Sequence, residues 1–246
     1  MHLDCRLFAW ANISGVQVKR KGKKQSNREA QEHVPHVMER IEKADDPINI
    51  ALKAAIGGNI IDYGAQSSFD LDATMDRVFT MDFAIDDEAI LTDALEKADS
   101  IAYLADTAGE IVFDKVLIET LMKEQGKKNV LFVVRDDPML NDALLEDTEE
   151  IGLSALDNVE VATMPPRIPD ASEKAYSIWE RIEKSDVVIS KGQGNYEAFS
   201  SQAGIFFLLM AKCELIAGDI NQRINSHLKV GDMILWKGDG EMSYES

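Results

Sequence analysis

The fold is decided by the stretch from Ser100 to Gln125, which reads SIAYLADTAGEIVFDKVLIETLMKEQ. Its apolar run, residues 101–105, has the length and composition of a buried strand. The run stops at Asp106, the chain turns at Gly109, and apolar residues then return at helical spacing. Asp106 is therefore predicted to lie at the carboxyl end of a strand, the edge at which open α/β sheets bind ligands. Capping of the following helix is the alternative role for a single aspartate in this place.

The same order of strand, polar loop and helix recurs along the chain. Apolar runs that indicate strands lie at residues 129–134, 159–163, 186–190, 204–210 and 232–236, and a further strand-like piece lies at 78–85 between two helices. Helical spacing is found at 28–43, 47–56, 143–151 and 172–184. This alternation favours a mostly parallel sheet with helices on both faces. We predict a three-layer α/β/α fold, with an N-terminal helical region (1–65) packed as one unit with an α/β domain (66–246).

The composition of the chain indicates a soluble protein with a full core. It has 246 residues, of which 45% are hydrophobic. No run approaches the roughly 20 apolar residues of a membrane span, and the first residues lack the order of a signal peptide, so we expect a cytoplasmic protein without a membrane partner. The two cysteines, Cys5 and Cys213, form neither a disulfide framework nor a metal cluster.

The charge is strongly negative and unevenly distributed. The formal net charge is -18, yet the first 28 residues hold seven of the 26 basic residues and one of the 44 acidic residues. An acidic body of this kind is a poor partner for nucleic acid. The basic run at residues 19–24, KRKGKK, is either an RNA-binding arm or a solvated terminus, and the second interpretation is favoured. A phosphorylated substrate would need local cations to bind such a protein. The sequence does not define an oligomeric state.

One short motif imitates a known phosphatase signature. Asp70, Asp72 and Thr74 have the spacing of the aspartyl-phosphate motif of haloacid-dehalogenase phosphatases. That motif must follow a buried apolar strand, whereas residues 64–69 read GAQSSF. An acidic, capped helix start is therefore the favoured interpretation.

Asn59 and Asp62 form a polar pair inside an otherwise apolar segment. Because they are three residues apart, they would share one face of a helix. The pair has one of two roles. It either caps a helix or makes a buried hydrogen bond, or it faces a ligand.

Polar side chains follow three of the predicted strands. Asp106 follows the first strand, Asn141 and Asp142 lie in the loop after the second, and Lys191 follows a later one. One sheet topology can bring these three strand ends to a single edge. Carboxylate and amide oxygens suit a hard divalent cation, and all four histidines lie outside the three loops, which argues against zinc. We therefore predict a site for Mg²⁺ or Mn²⁺.

The segment Lys191–Asn195, KGQGN, is typical of an anion cradle. Its glycines allow backbone N–H groups to approach oxygen, and the ammonium adds a point charge. We predict that Lys191, Gly192, Gln193, Gly194 and Asn195 bind the phosphate and that Asn141 also contacts the substrate. The segment is no nucleotide fingerprint, because Glu197 replaces the last glycine of GxGxxG and the chain has no GK[ST]. A methyltransferase would need a glycine-rich loop after its first strand, for which Asp106–Gly109 is a weak substitute.

Four stretches together resemble one known family. They are KQSN (24–27), AAIGGNIIDYG (54–64), YLADTAGEIVFD (103–114) with RDDPMLNDALLED (135–147), and SDVVISKGQGNYE (185–197). From about residue 20 to the end, the chain resembles the metal-dependent damage-control phosphatases, formerly domain of unknown function 89, in their stand-alone archaeal-type branch. The resemblance implies an α/β enzyme with an accessory helical region. It also implies hydrolysis of phosphomonoesters of small phosphometabolites, such as sugar phosphates or damaged cofactor intermediates, with a divalent metal.

The resemblance also implies roles for individual residues. It places metal ligands at Asp106, Thr107 and Asp142, the phosphate at Lys191–Asn195, and substrate contacts at Asn59 and Asp62. Thr107 stands where the family usually has Asn, which would weaken metal binding or change the preferred metal. Besides Mg²⁺ and Mn²⁺, Co²⁺ and Ni²⁺ are further candidates for the cation. The amino terminus lacks the family's usual Cys-x-x-Cys opening.

Metal-assisted phosphomonoester hydrolysis is the function that these observations favour. The metal would stabilise charge on the phosphoryl group, Lys191 would hold its oxygens, and either Asp106 or Glu110 would orient the attacking water. The alternatives are a carboxyl methyltransferase and a degenerate member that only binds a phosphometabolite or a partner protein.

Overall fold

The computed structural model describes residues 16–58, 71–137, 141–165 and 172–240. The helices within these ranges are α1 (Val16–Glu42), α2 (Pro47–Gly57), α3 (Leu71–Thr80), α4 (Glu88–Lys97), α5 (Glu110–Gln125), α6 (Leu145–Glu150), α7 (Glu173–Glu183), α8 (Gly192–Phe199) and α9 (Glu214–Ile224). The strands are β1 (Phe83–Asp86), β2 (Ser100–Leu104), β3 (Asn129–Arg135), β4 (Val159–Met164), β5 (Val187–Lys191), β6 (Ala203–Met210) and β7 (Met233–Asp239). None of these helices has both the length and the hydropathy needed to cross a membrane.

The described strands form one seven-stranded sheet in the order β1-β7-β6-β5-β2-β3-β4. Only the pair β6–β7 is antiparallel, and every other neighbouring pair is parallel. The prediction of a mostly parallel sheet is therefore confirmed. Strand β2 lies between β5 and β3, so its carboxyl end is flanked by two strands that run in the same direction.

Alternate residues of β2 face the two helical layers. Ile101 and Tyr103 belong to an apolar cluster that includes buried residues of helices α1 to α5. Ala102 and Leu104 belong to a second cluster, which includes buried residues of α7, α8 and α9. The sheet therefore separates two helical layers, as predicted. Helices α1 and α2 share the first cluster with the sheet, while the expected boundary near residue 65 lies outside the described residues and stays a prediction.

Three predicted elements differ from the structure. Helix α1 begins at Val16, twelve residues before the predicted start. Val78 lies in α3 and not in a strand, because Met75, Val78 and Phe79 are buried at the three- and four-residue spacing of one helical face. The residues after Lys191 were expected to form a loop but form helix α8.

The haloacid-dehalogenase interpretation of residues 70–74 receives no support from the described part of the motif. Asp72 lies in the first turn of α3, where its carboxylate contacts His33 of α1 at 2.6 Å. This location agrees with the favoured interpretation of an acidic helix start. Asp70 lies outside the described residues.

Helix α2 has a well-defined start that positions its buried turns against the sheet. The Asp46 carboxylate accepts a hydrogen bond from the N–H of Asn49 at 3.0 Å, and Pro47 occupies the first turn. The helix is buried continuously from Ala51 to Gly57. Its last carbonyl groups therefore face the interior, where they can accept hydrogen bonds from the α/β layers.

We expect Asp46→Ala to destabilise the protein by about 1 kcal/mol, because the amino end of α2 loses its side-chain cap. Urea denaturation monitored by circular dichroism measures this change. Asp45→Ala is the matched control, since Asp45 is an exposed neighbour of equal charge outside the cap. Equal losses in both variants would contradict a capping role for Asp46.

Candidate active site

The strand ends that carry the predicted site residues meet at one edge of the sheet. Asp106 follows β2, Lys191 ends β5, and Arg135 ends β3. Because β5, β2 and β3 are parallel neighbours, their carboxyl ends lie side by side. The predicted convergence of these loops is confirmed.

A short antiparallel pairing joins the turn after β2 to the segment after β3. An isolated bridge links Thr107 with Asp142, and the Ala143 N–H donates to the Asp106 carbonyl oxygen at 2.9 Å. Thr107 and Asp142 are both buried, whereas Asp106 is partly exposed. These backbone contacts hold the predicted metal ligands in two adjacent segments.

Gly192, the first residue of α8, packs directly against the Asp106 carboxylate. Its φ of +78° lies in the left-handed region. A Cβ at this position would lie 1.9 Å from Asp106 Oδ2, so only glycine fits. The amino end of α8 therefore lies beside Asp106. Helix amino ends carry N–H groups without intrahelical partners and attract anions such as phosphate.

Lys191 is enclosed by carboxylates of helix α5. Its Nζ donates to Glu110 Oε1 at 2.6 Å, to Asp114 Oδ1 at 2.7 Å and to the Ala55 carbonyl oxygen of α2 at 2.7 Å. The Tyr103 hydroxyl also donates to Asp114 Oδ1, at 2.7 Å. All these side chains are buried. Since an ammonium has three donors, the hydrogen-bonding capacity of Lys191 is used completely.

The electrostatics of this cluster favour a charged lysine. Burial raises the pKa of Glu110 to about 7, although Lys191 acts in the opposite direction. Burial also raises the pKa of Asp114 against the influence of Lys191. Burial acts to lower the pKa of Lys191, but the two carboxylates outweigh it and raise that pKa. Lys191 therefore stays protonated between two acids.

The contacts of Lys191 and Asn195 correct their predicted roles. Lys191 was expected to hold the substrate phosphate, yet its three donors are taken by Glu110, Asp114 and a helix carbonyl. Asn195 was expected to contact the substrate, but its buried amide donates to the carbonyl oxygens of Ala105 and Lys191 and accepts from Arg135. Both side chains therefore link elements around the site instead of presenting donors to a ligand.

The other residues of the KGQGN segment lie at the start of α8. Gln193 and Gly194 are partly exposed, and Gln193 Oε1 accepts a hydrogen bond from the Lys212 N–H at 2.6 Å. Lys212 follows β6, so it lies at the same edge of the sheet. Contact of Gly192, Gln193 and Gly194 with the phosphate stays a prediction.

Helix α1 contributes side chains that the sequence analysis missed. Asn27 Oδ1 accepts a hydrogen bond from the Gly109 N–H at 2.6 Å, and its amide donates to Asp147 Oδ1 at 3.1 Å. Lys23 is buried and donates to the Asp142 carbonyl oxygen. The interpretation of this basic segment as a solvated terminus was therefore wrong for Lys23. The four-residue spacing of Lys23 and Asn27, which places them on one helical face, was the available signal.

Arg135 is a second contributor that the sequence analysis missed. It is buried at the end of β3, its Nε lies 3.8 Å from Asp142 Oδ2, and its guanidinium donates to Asn195 Oδ1. It thereby connects the segment after β3 with α8. Asn59 and Asp62, the two predicted substrate contacts, lie outside the described residues.

The donor groups at this edge fit a hard divalent cation in their chemistry. Asp106 and Asp142 supply carboxylates, Thr107 supplies a hydroxyl, and Asn141 supplies a side-chain amide oxygen. The Asn141 carbonyl also accepts a hydrogen bond from the Ala108 N–H at 2.9 Å, which holds it beside the turn. Within the described ranges, no group of three or more His, Cys, Asp or Glu side chains is arranged to hold a metal. Metal ligation by Asp106, Thr107 and Asp142 stays a prediction.

The fold and the site define an α/β protein. At the carboxyl ends of its parallel strands, side chains with oxygen ligands lie beside the amino end of a helix. A comparison with known protein families identifies the family to which this protein belongs. The family model of the damage-control phosphatase ARMT1-like domain matches residues 19–228. The chain therefore belongs to the damage-control phosphatase ARMT1-like family.

Individual relatives agree with this assignment. A damage-control phosphatase of Pyrococcus horikoshii is 34% identical over 202 residues, which cover 80% of this chain and 69% of the relative. A damage-control phosphatase of Archaeoglobus fulgidus is 32% identical over 227 residues, which cover 86% and 73%. The crystal structure of a DUF89 family protein from Pyrococcus horikoshii superposes with a TM-score of 0.74 at 29% identity and covers 88% of this chain and 74% of that chain. The fold and family expected from the sequence are confirmed, and the protein is a phosphatase.

We expect Gly192→Ala to lower kcat for a phosphate ester by about a hundredfold, because the new methyl group displaces the Asp106 carboxylate. A steady-state assay measures this change. Gly126→Ala is the matched control, since Gly126 has a φ of +82° but no atom within 4 Å of its Cβ position. The control also places a side chain on a residue of positive φ, but at a distance from the site, so it should lose stability but keep its kcat. Similar rates for both variants would contradict the role assigned to Gly192.

We expect Asn27→Ala to destabilise the protein by about 1–3 kcal/mol, because the buried Gly109 N–H and Asp147 each lose a partner. The turn that carries Thr107 would also loosen, so kcat should fall with stability. Gln25→Ala on the exposed face of α1 is the control and should change neither quantity. A stable, fully active Asn27→Ala variant would contradict this link between α1 and the site.

Proposed function

We propose that this phosphatase hydrolyses phosphate monoesters of small metabolites with the help of a divalent cation. The family and its named relatives support the phosphatase activity. The cation and the roles of individual residues are proposed from the geometry of the sheet edge. Nucleic acid and membranes are not among the expected partners of so acidic a chain.

The observation that carries the proposal is the pairing of the two acidic segments beside α8. The Thr107–Asp142 bridge holds the Asp106 and Asp142 segments together, and Gly192 brings the amino end of α8 against Asp106. A phosphate attracted to this helix end would meet the negative charge of Asp106. A divalent cation held at this edge would offset this repulsion with its positive charge.

Asp106 and Asp142 would hold the cation, with Thr107 and Asn141 as further oxygen donors. Mg²⁺ or Mn²⁺ suits such donors, and Co²⁺ and Ni²⁺ are further candidates. When bound, the cation supplies a Lewis acid that stabilises charge on the phosphoryl oxygens. The N–H groups at the start of α8 would bind the remaining oxygens.

Two carboxylates of this chain could orient the attacking water. Asp106 is partly exposed at the sheet edge, whereas Glu110 is buried and accepts a hydrogen bond from Thr107 Oγ1 at 3.1 Å. Glu110 is thereby held next to a proposed metal ligand. We assign this step to Asp106 or Glu110, and a comparison of Asp106→Asn with Glu110→Gln at saturating metal would separate the two assignments.

We expect EDTA-treated protein to hydrolyse para-nitrophenyl phosphate only after a divalent cation is added. Asp142→Asn should lower kcat/KM by at least about a hundredfold, because it removes a charged ligand. Thr107→Asn should bind the cation more tightly, since an amide oxygen replaces the hydroxyl. Titrations with magnesium, manganese, cobalt and nickel measure both effects, and a screen of phosphometabolites identifies the substrate.

Asp93→Asn is the matched control for these carboxylate changes. Asp93 is exposed on α4, where it pairs with Lys97, so its loss should leave the rate unchanged. Turnover without metal, or full activity in Asp142→Asn, would overturn the proposed mechanism. Inactivity of both the wild type and Thr107→Asn, together with phosphometabolite binding, would instead favour a binding module. Calorimetric binding of a methyl donor would favour a methyltransferase.

A further inference from the structure

The buried cluster around Lys191 contains two carboxyl groups, although one would be enough to neutralise the lysine. Glu110 and Asp114 both contact the Lys191 ammonium, and none of the three side chains is more than 2% exposed. Removal of two opposite charges from water is already costly, and a second buried carboxylate adds to that cost. Asp114 Oδ2 also has no hydrogen-bond partner among the residues that the structure describes. Stability alone therefore gives a poor reason for an acid at position 114.

The two acids of α5 have different surroundings. Glu110 lies in the first turn, where Oε2 accepts from Thr107 and Oε1 accepts from Lys191. Asp114 lies one turn further into the protein, where a single oxygen accepts from both Lys191 and Tyr103. Only Glu110 therefore contacts the turn that carries the proposed metal ligands. Asp114 is linked to that turn through the hydrogen bonds of Lys191, which contacts both acids.

A lysine side chain that contacts a single buried carboxylate can adopt several orientations and keep that contact. Lys191 is instead held on three sides, by Glu110, by Asp114 and by the Ala55 carbonyl oxygen. Tyr103 in turn restrains Asp114 from the sheet, where its ring stacks on Phe132 at 5.3 Å. Each contact restricts the orientation of the next side chain, from Tyr103 through Asp114 and Lys191 to the Glu110 carboxylate.

We propose that Asp114 is a positioning residue for the phosphatase reaction. It fixes the Lys191 ammonium, and Lys191 fixes Glu110 in the orientation that contacts Thr107 at the sheet edge. This role rests on the proposed function, because it matters only if Glu110 acts at that edge. Asp114 itself contacts neither the substrate nor the cation.

The test is a double-mutant cycle on kcat with para-nitrophenyl phosphate and saturating metal. Asp114→Asn keeps the shape of the side chain and the acceptor for Tyr103 but removes the charge that holds Lys191. We expect kcat to fall about tenfold or more and KM to stay within about twofold, because a positioning contact is lost and the binding groups remain. In the Lys191→Met background, Asp114→Asn should lower kcat no further. Additive losses would overturn the proposal, since Asp114 would then act independently of Lys191.

Two further variants separate positioning from folding. Tyr103→Phe keeps the charge of Asp114 and removes one hydrogen bond, so kcat should fall by about two- to tenfold. This variant keeps the proposal testable if Asp114→Asn fails to fold. Thr120→Ala is the control on the same helix, because its hydroxyl donates only to the Val116 carbonyl oxygen, and we expect an unchanged kcat.

The outcomes distinguish the proposal from the function on which it rests. Wild-type protein that hydrolyses no phosphate ester with any of the four metals would overturn both. Active wild-type protein with an unchanged kcat in Asp114→Asn and Tyr103→Phe would overturn the positioning role alone. A loss of thermal stability without a change in kcat would have the same meaning, since it would show that the cluster serves only the fold.

Discussion

The enclosed Lys191 ammonium is the interaction on which the arrangement of the site depends. It joins the end of β5 to helix α5 through Glu110 and Asp114, and to helix α2 through the Ala55 carbonyl oxygen. A buried charge cannot exchange these partners for water, so any displacement of one element would leave an unpaired group in the interior. The helical layer and the sheet edge are therefore fixed relative to each other by three short hydrogen bonds.

The fold was predictable wherever local pattern and tertiary packing agree. The apolar run of β2 is continuous because the strand is covered on both faces, and this makes a buried parallel strand visible in the sequence. The polar residues that interrupt these runs, such as Asp106 and Arg135, mark the strand ends. Once the strands are parallel neighbours, the convergence of these residues follows from topology alone.

The site was less predictable where its contacts join distant parts of the chain. Asn27 and Gly109 are 82 residues apart in sequence, and no local pattern indicates that they touch. Lys191 suggested an anion site because it precedes glycines, yet the acids that enclose it lie on another element. The signal was present in α5, where Glu110 and Asp114 are four residues apart, share one helical face and are separated by three apolar residues. Such a spacing inside a buried helix indicates a buried cationic partner.

Helix α8 shows how tertiary contacts override local preference. Its first residues include two glycines, which favour a turn or loop when the sequence is considered alone. The helix forms because Tyr196 and Phe199, three residues apart, are both buried in the apolar cluster on that face of the sheet. Tyr196 packs edge-on against Phe207 at 5.3 Å, and Phe199 stacks on Trp179 at 4.8 Å. These aromatic contacts anchor the carboxyl half of the helix and leave its amino half at the sheet edge.

The close contact between Gly192 and Asp106 also restricts how this sequence can diverge. A side chain at position 192 would occupy the space of the Asp106 carboxylate, so the two positions cannot vary independently. Descendants of this protein that keep the aspartate must keep the glycine. Loss of the aspartate removes the steric conflict and leaves only the preference of a positive φ for glycine. Joint loss of the two residues would therefore mark lineages that keep the fold but no longer catalyse the reaction.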